Sequence, residues 1–78
     1  MTTAIAILTA LDECGGYLLR EDVLLADVSR KLPKPVTLTT LQSECQRLEQ
    51  KRHILSVENE DKGTQYKITD NERARLLE

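Results

Sequence analysis

Aromatic side chains are scarce in this sequence of 78 residues, where Tyr17 and Tyr66 make up an aromatic share of 3%. Phenylalanine and tryptophan are absent, so we expect a core of aliphatic side chains. No apolar run approaches the roughly 20 residues that a membrane-spanning helix needs. The pattern of a signal peptide, a charged segment followed by an apolar stretch, is also absent from the start of the sequence. We therefore expect a cytoplasmic protein with no membrane partner.

Residue types that bind metals or carry out catalysis are also few. Cys14 and Cys45 lie far apart without a Cys-x-x-Cys pair, and His53 is the single histidine. We interpret both cysteines as reduced core residues, because free cysteine is among the most buried residue types, and His53 as a turn residue. The sequence contains no nucleophile and base at a recognisable spacing and no phosphate-binding loop. We therefore predict a protein that is not an enzyme, with no catalytic residue, metal site or cofactor.

The length of the chain supports a single domain over residues 1–78 with a small core. Its hydrophobic share of 40% and charged share of 31% are typical of a compact domain. The formal net charge is −2, but residues 30–52 contain six basic and two acidic side chains, so this segment is +4 and the remainder −6. A basic segment in an acidic chain predicts an anionic partner. The alternative is a solvated surface on which these charges cluster by chance.

The start of the sequence predicts a first helix that ends at a glycine turn. Thr2 or Thr3 can cap this helix, which runs to about Cys14, and Gly15-Gly16 ends it. A short extended segment over 17–19 follows, long enough to pair with the edge of a hairpin. The predicted apolar face of the helix comprises Ala4, Ile5, Ile7, Leu8 and Leu11.

A second helix is predicted from Glu21 to Lys31, because the helix dipole favours acids at its start and bases at its end. Pro33 and Pro35 prevent its continuation, so 32–36 is expected to form a stiff turn. The predicted buried seam of this helix comprises Leu24, Leu25, Val28 and Leu32.

A third helix, around residues 37–51, is predicted to have two different faces. Thr37 is the expected N-cap, because its hydroxyl can accept a hydrogen bond from the first turn. At about 100° per residue, one stripe is apolar and comprises Leu38, Leu41, Cys45 and Leu48. The opposite face holds Thr39, Thr40, Ser43, Gln46, Arg47 and Gln50. These side chains can donate or accept hydrogen bonds, so the helix can pack on the core and present a polar surface outwards.

After Ile54 the pattern changes to the alternation that is typical of strands. Two such segments flank the turn Glu60-Asp61-Lys62-Gly63, in which glycine can supply a positive φ, so we predict a β-hairpin. Thr69-Asp70-Asn71-Glu72 is a capping-box pattern that begins a short last helix. Ala74, Leu76 and Leu77 of that helix are expected to be available for packing.

This order of elements resembles the winged helix-turn-helix superfamily of DNA-binding domains. The segment 47–54, RLEQKRHI, is similar to the end of the recognition helix that leads into the wing in PadR-, MarR- and ArsR-type transcriptional regulators. The segment 66–69, YKIT, is similar to the exit strand of the wing and the cap that follows it. The resemblance covers nearly the whole chain. It implies an α+β fold with a three-helix core, a two-stranded β-hairpin wing and a short C-terminal helix.

The resemblance also implies sequence-specific binding of double-stranded DNA by a small transcriptional regulator, whose third helix enters the major groove. The candidates for contact with base edges are Thr37, Thr39, Thr40, Gln42 and Ser43, with Gln46 one turn further along. Arg47 and Lys34 are expected to bind phosphate. One domain binds few phosphates, so we expect a homodimer whose interface is the apolar face of the first helix or the last helix.

Two features depart from these families. Arg52 stands where they often have a left-handed glycine, so we expect the recognition helix to end differently here. The wing tip is acidic, with Glu58, Glu60 and Asp61 against Lys62, and therefore repels phosphate. This acidity keeps open an alternative function, in which the winged helix binds an acidic protein partner through its basic residues and does not bind DNA.

Overall fold

The computed structural model describes residues 2–77, with side chains as far as residue 74, so the predicted packing of Leu76 and Leu77 lies outside the described residues. Within residues 2–77 the chain forms four α-helices and three β-strands. In chain order these are α1 (Thr3–Glu13), β1 (Leu19–Arg20), α2 (Glu21–Lys31), α3 (Leu38–Gln50), β2 (Ile54–Asn59), β3 (Gly63–Ile68) and α4 (Asp70–Leu77). This architecture confirms the predicted α+β fold with a three-helix core, a hairpin and a C-terminal helix.

Helix α1 lies at the centre of the domain, in contact with α2, α3 and β3. Thr2 caps it, because the Thr2 hydroxyl accepts a hydrogen bond of 3.2 Å from the Ile5 amide. The prediction that Ile5 belongs to the buried face is wrong, since this side chain is 49% exposed. At about 100° per residue, Ile5 points away from the middle of the buried face, where Ile7 and Leu11 lie.

The core is mainly aliphatic, as the composition predicts, with Tyr66 as its one aromatic member among the described residues. Its buried residues are Ala6, Ile7, Leu8, Ala10, Leu11, Leu24, Val28, Leu41, Cys45, Leu48, Ile54, Tyr66 and Ile68. Because the apolar face of α1 is buried inside the domain, it is not available for a homodimer interface, and the expectation that it forms one is wrong.

Helix α2 has the predicted charge polarity, with acidic residues in its first turn and basic residues in its last turn. Leu24 and Val28 are fully buried, whereas Leu25 and Leu32 of the predicted seam are only partly buried. After α2 the Ser29 hydroxyl accepts a hydrogen bond of 3.2 Å from the Val36 amide. This bond ties the turn between α2 and α3 back to α2.

Helix α3 ends in a Schellman motif. The His53 amide donates to the Leu48 carbonyl oxygen at 2.9 Å, and the Arg52 amide donates to the Glu49 carbonyl oxygen at 2.9 Å. Arg52 has a φ of 63°, in the left-handed region. The expectation that the helix ends differently is therefore wrong, because the chain keeps the geometry that favours glycine and places an arginine in it.

The buried stripe of α3 is shorter than predicted. Leu41, Cys45 and Leu48 are buried, but Leu38 is 43% exposed. Leu38 is the first residue of the helix, one turn before Leu41. A residue at a helix end is buried only where a neighbouring element extends over it, and none of the described elements covers Leu38.

The strands form one antiparallel sheet in the order β1-β3-β2 within the described residues. Ile54 lies opposite Ile68 in the β2–β3 pair, which confirms the predicted hairpin. Leu19 of β1 lies opposite Tyr66, so β1 occupies the free side of β3. The prediction that this strand covers 17–19 is wrong by two residues at its start, because Tyr17 and Leu18 belong to the connection that follows the glycine turn.

Side chains at the start of α4 attach this helix to the rest of the domain. The Thr69 hydroxyl accepts a hydrogen bond of 3.3 Å from the Glu72 amide, which confirms the predicted cap. The Glu72 carboxylate lies 2.7 Å from His53 Nδ1. Arg73 Nε lies 3.0 Å from the Asp12 carboxylate of α1. His53 is thus a turn residue, as predicted, but it also has a carboxylate partner that sequence spacing does not indicate.

Candidate nucleic-acid interface

The outward stripe of α3 is polar and exposed. Thr39, Ser43 and Gln46 recur at spacings of four and three, so they lie on one stripe opposite the buried leucines. Within the described part of the chain, their side chains make no hydrogen bond and no ion pair. Their donors and acceptors are therefore available to a molecule that approaches from outside.

The two threonines at the start of α3 bond to each other. The Thr37 hydroxyl accepts a hydrogen bond of 3.2 Å from the Thr40 amide and donates one of 2.9 Å to the Thr40 hydroxyl oxygen. A hydroxyl has a single hydrogen, so Thr37 has no donor left for a ligand, whereas Thr40 keeps its own hydrogen. Thr37 therefore serves as the N-cap, and Thr40 retains a donor on the exposed surface.

Gln42 lies beside the outward stripe, on the side of α2, and it has an internal partner. Its Nε2 atom donates to Glu21 Oε1 at 3.3 Å, and Glu21 Oε2 accepts a hydrogen bond of 2.9 Å from the Tyr66 hydroxyl. One carboxylate thereby joins α2, α3 and β3. Burial and the hydrogen bond to Glu21 raise the pKa of Tyr66, so the phenol stays protonated and remains a donor.

Arg47 lies on the exposed surface next to a weak partner. Its Nη1 atom is 3.4 Å from the Glu44 carboxylate, three residues earlier on α3. An exposed ion pair of this kind contributes about 0–1 kcal/mol. A phosphate can therefore replace Glu44 as the partner of Arg47 at little cost.

Ion pairs neutralise part of the basic segment that the sequence predicts. Arg30 and Lys31 both pair with Asp27, and Lys31 also pairs with Glu13. The hydrogen bond that the Lys31 ammonium donates to the Glu13 carboxylate raises the pKa of Lys31. The basic residues of 30–52 that make no ion pair within the described residues are Lys34, Lys51 and Arg52. The positive charge without an internal partner thus lies at the two ends of α3, one lysine before it and two cations after it.

We call the β2–β3 hairpin the wing, and its tip is acidic. Asn59 Oδ1 accepts hydrogen bonds from the amides of Asp61 and Lys62, at 2.8 and 3.1 Å, which close the turn. Glu58 and Glu60 are exposed beside it. The sign of charge at the tip is therefore opposite to that at both ends of α3, as the sequence predicts.

The outer face of the wing carries apolar side chains. Leu55 and Val57 of β2 are 48% and 43% exposed, and they lie opposite Lys67 and Gln65 of β3. On the inner face, the Ser56 hydroxyl donates to the Glu49 carboxylate of α3 at 2.9 Å. The wing is thus joined to the end of α3 while its outer face is open to solvent.

The cysteines differ in environment. Cys45 is buried in the apolar stripe of α3, and burial is the main reason that the pKa of its thiol is raised to about 12. Cys14 is only partly buried at the C-cap of α1, so the prediction that both are core residues is correct for Cys45 alone. Both thiols are free. Among the described residues, no group of three or more histidine, cysteine and acidic side chains is placed to hold a metal ion.

Sequence reasoning places every candidate residue of α3 on the surface but misses the part played by Glu21. The sequence identifies Glu21 only as an acid at a helix start. Its partners, Gln42 and Tyr66, are 21 and 45 residues away along the chain. No local spacing rule relates residues at such separations, so the network depends on the tertiary fold.

Comparison with known proteins identifies the fold. No protein-family model matches the chain, and no curated protein sequence matches it. Among solved structures, the peroxide stress regulator of Campylobacter jejuni is similar, with a TM-score of 0.73 and 16% sequence identity over 87% of this chain. The match covers 48% of that regulator, so this chain spans about half of its length. The chain shares its fold with this regulator, and the order of its helices and strands is that of a winged helix-turn-helix domain.

None of the helices within residues 2–77 is long and apolar enough to span a membrane.

Proposed function

We propose that this protein binds double-stranded DNA in a sequence-specific manner and acts as a small transcriptional regulator. Helix α3 enters the major groove and α2 lies across the sugar-phosphate backbone, as in other helix-turn-helix proteins. The similar Campylobacter structure is named as a regulator, which is in keeping with this proposal.

The observation that carries the proposal is the outward stripe of α3. Thr39, Ser43 and Gln46 are exposed and have no internal partner within the described residues, while the same helix is fixed to the core by three buried side chains. A rigid helix that presents hydroxyl and amide groups suits the hydrogen-bonding edges of bases in the major groove. The cations without partners at both ends of α3 suit the phosphates on either side of that groove.

The proposal assigns two kinds of contact. Thr39, Thr40, Gln42, Ser43 and Gln46 contact base edges, and Thr37 contributes chiefly by capping the helix. Arg47 and Lys34 bind phosphate and fix the register without selecting sequence. Two copies of the chain bind together, because a single domain of this size contacts few phosphates.

The test is selection of bound duplexes from a random DNA pool at about 100 mM salt, followed by a salt titration on the selected sequence. We expect an enriched palindromic motif and an affinity that falls steeply with salt, with a logarithmic slope of roughly −0.9 for each phosphate contact. Sedimentation of the complex gives its stoichiometry. No enrichment, together with no binding at about 50 mM salt, would contradict the proposal.

A second function has a specific observation in its favour. The exposed Leu55 and Val57 adjoin an acidic wing tip, and such a surface suits a protein partner better than DNA. In this alternative the basic residues of 30–52 meet an acidic protein, although Arg30, Lys31 and Arg47 already have internal partners. Because this alternative excludes DNA binding, enrichment of a duplex that the Leu55→Ser variant binds as tightly as the unmodified protein would contradict it.

A further inference from the structure

Glu21 occupies an unusual position for an acidic residue in a proposed DNA-binding domain. It is the first residue of α2, and its carboxylate is partly buried between α3 and β3. Both of its oxygens are used, one by the Tyr66 hydroxyl at 2.9 Å and the other by Gln42 Nε2 at 3.3 Å. Tyr66 is buried in the core, so the carboxylate is held from the side of the sheet.

This arrangement determines which end of the Gln42 amide faces inwards. A carboxylate only accepts hydrogen bonds, so the amide nitrogen and not the amide oxygen must face Glu21. The nitrogen carries two hydrogens, and one bond to Glu21 leaves the second hydrogen and the amide oxygen available. Gln42 thus keeps one donor and one acceptor for a ligand, and its orientation is set before any ligand binds.

We infer that Glu21 is a positioning residue that orients Gln42 for recognition of an adenine in the major groove. The inference rests on the proposed function and deepens it. Adenine presents N7 as an acceptor and its N6 amino group as a donor in the major groove, and the remaining donor and acceptor of Gln42 match this pair. Because glutamine loses rotamer freedom when it binds, a side chain that is already ordered selects its base more strongly.

A first measurement uses the free protein and does not depend on DNA. Nitrogen-15 relaxation of the Gln42 side-chain amide should show an ordered group in the unmodified protein and in Glu21→Gln. In that variant the new amide oxygen can accept from Gln42 while the new amide nitrogen donates to the Tyr66 hydroxyl oxygen. The Gln42 amide should become mobile in Glu21→Ala. A mobile Gln42 amide in the unmodified protein would overturn the inference even if the protein binds DNA.

The closing experiment compares base preferences by duplex selection for the unmodified protein, Glu21→Gln, Glu21→Ala and Gln42→Ala. We expect Gln42→Ala to remove the preference for adenine at one position of the site. Glu21→Ala should reduce the preference at that same position by about 2- to 10-fold and leave the others unchanged, while Glu21→Gln should retain it. Glu21→Ala leaves the buried Tyr66 hydroxyl without its partner, so Glu21→Ala with Tyr66→Phe provides a second variant if the single one does not fold.

The outcomes separate the inference from the proposed function. An adenine preference that is the same in Glu21→Ala and in the unmodified protein would overturn the inference and leave the proposed function intact. If Glu21→Gln and Glu21→Ala changed the base preference equally at every position of the DNA site, only the charge of Glu21 would matter. That result would also overturn the inference. Absence of binding by the unmodified protein would overturn both.

Discussion

Helix α3 and the wing follow one another along the chain, but they differ in the side chains that they expose and in the charge that they present. Three buried side chains and a Schellman turn fix α3 to the core. The wing also buries three side chains in the core, Ile54, Tyr66 and Ile68. Leu55 and Val57 are exposed on its outer face. Cations without partners lie at both ends of α3, whereas the wing tip is acidic.

This difference indicates which of the two elements approaches an anionic partner. Phosphate is attracted to the ends of α3 and repelled by the tip of the wing, and within about 10 Å such interactions are only partly screened at 0.1 M salt. We therefore expect α3 to supply the contacts with DNA. The wing supports the end of α3 through the bond between Ser56 and Glu49.

The largest expected effect is on the alkylation rate of Cys45, which reports how firmly α3 is packed on the core. Alkylation requires a thiolate, and the pKa of Cys45 is raised to about 12 from an ordinary value of 9.0, chiefly by burial. In a Cys14→Ser variant at pH 8, we expect Cys45 to be alkylated at least about 100-fold more slowly in the folded protein than in denaturant. The raised pKa of Cys45 also makes the free energy of unfolding depend on pH. The stability is fully present below pH 9 and is lost as the pH rises towards about 12, because the thiol ionises more readily in the unfolded chain.

Rapid alkylation of Cys45 under native conditions would contradict the burial of this stripe.

The next effect compares two leucines of the same size, one on α3 and one on the wing. Leu48 is 6% exposed and Leu55 is 48% exposed. Leu48→Ala should lower the free energy of unfolding by about 2–4 kcal/mol, because it leaves a cavity in the core. Leu55→Ala should lower it by no more than about 1 kcal/mol. Urea unfolding of both variants measures the difference, and equal losses would show that the outer face of the wing is packed as tightly as the buried stripe of α3.

A smaller effect concerns the residue that joins α3 to the wing. Arg52 has a φ of 63°, and a side chain in this conformation costs on the order of 1 kcal/mol. Arg52→Gly and Arg52→Ala remove the same charge, but only glycine relieves the strain. Arg52→Gly should therefore be more stable than Arg52→Ala by about 1 kcal/mol, as measured by thermal unfolding. A less stable glycine variant would contradict the assigned conformation.

The smallest effect on stability is expected for Arg47→Ala. The same variant should clearly weaken DNA binding. Arg47→Ala should change stability by less than about 0.5 kcal/mol, because the residue is exposed and its ion pair is weak. It should weaken binding to the selected duplex and reduce the salt slope by about 1. Equal affinities of the folded Arg47 variant and the unmodified protein would remove Arg47 from the interface.

The elements of this fold follow from local rules, and the sequence predicts them well. Thr37 and Thr69 cap helices as their hydroxyls allow, and the charges of α2 agree with its dipole. The errors occur where burial depends on neighbours. Leu38 has the right spacing for the core but lies at a helix end that no described element covers, and Ile5 is apolar but faces away from α2 and α3.

The candidate site is predictable only in part, for the same reason. Helical periodicity places Ser43 and Gln46 outside, and the structure agrees. Periodicity does not show which of the outward residues already have partners. The bonds of Gln42 to Glu21, of Thr37 to Thr40 and of Arg47 to Glu44 change what each side chain can offer. Only the first of these spans distant segments, and it is the one that sequence spacing could not reveal.

The measurement that tests the account most directly is a titration of nitrogen-15-labelled protein with the selected duplex, followed by amide chemical shifts. We expect the largest changes over 39–47 in α3 and at Lys34, with small changes at the wing tip, 59–63. Changes concentrated on the wing tip and the outer face of β2, with α3 unaffected, would contradict the assignment of α3 as the element that contacts DNA.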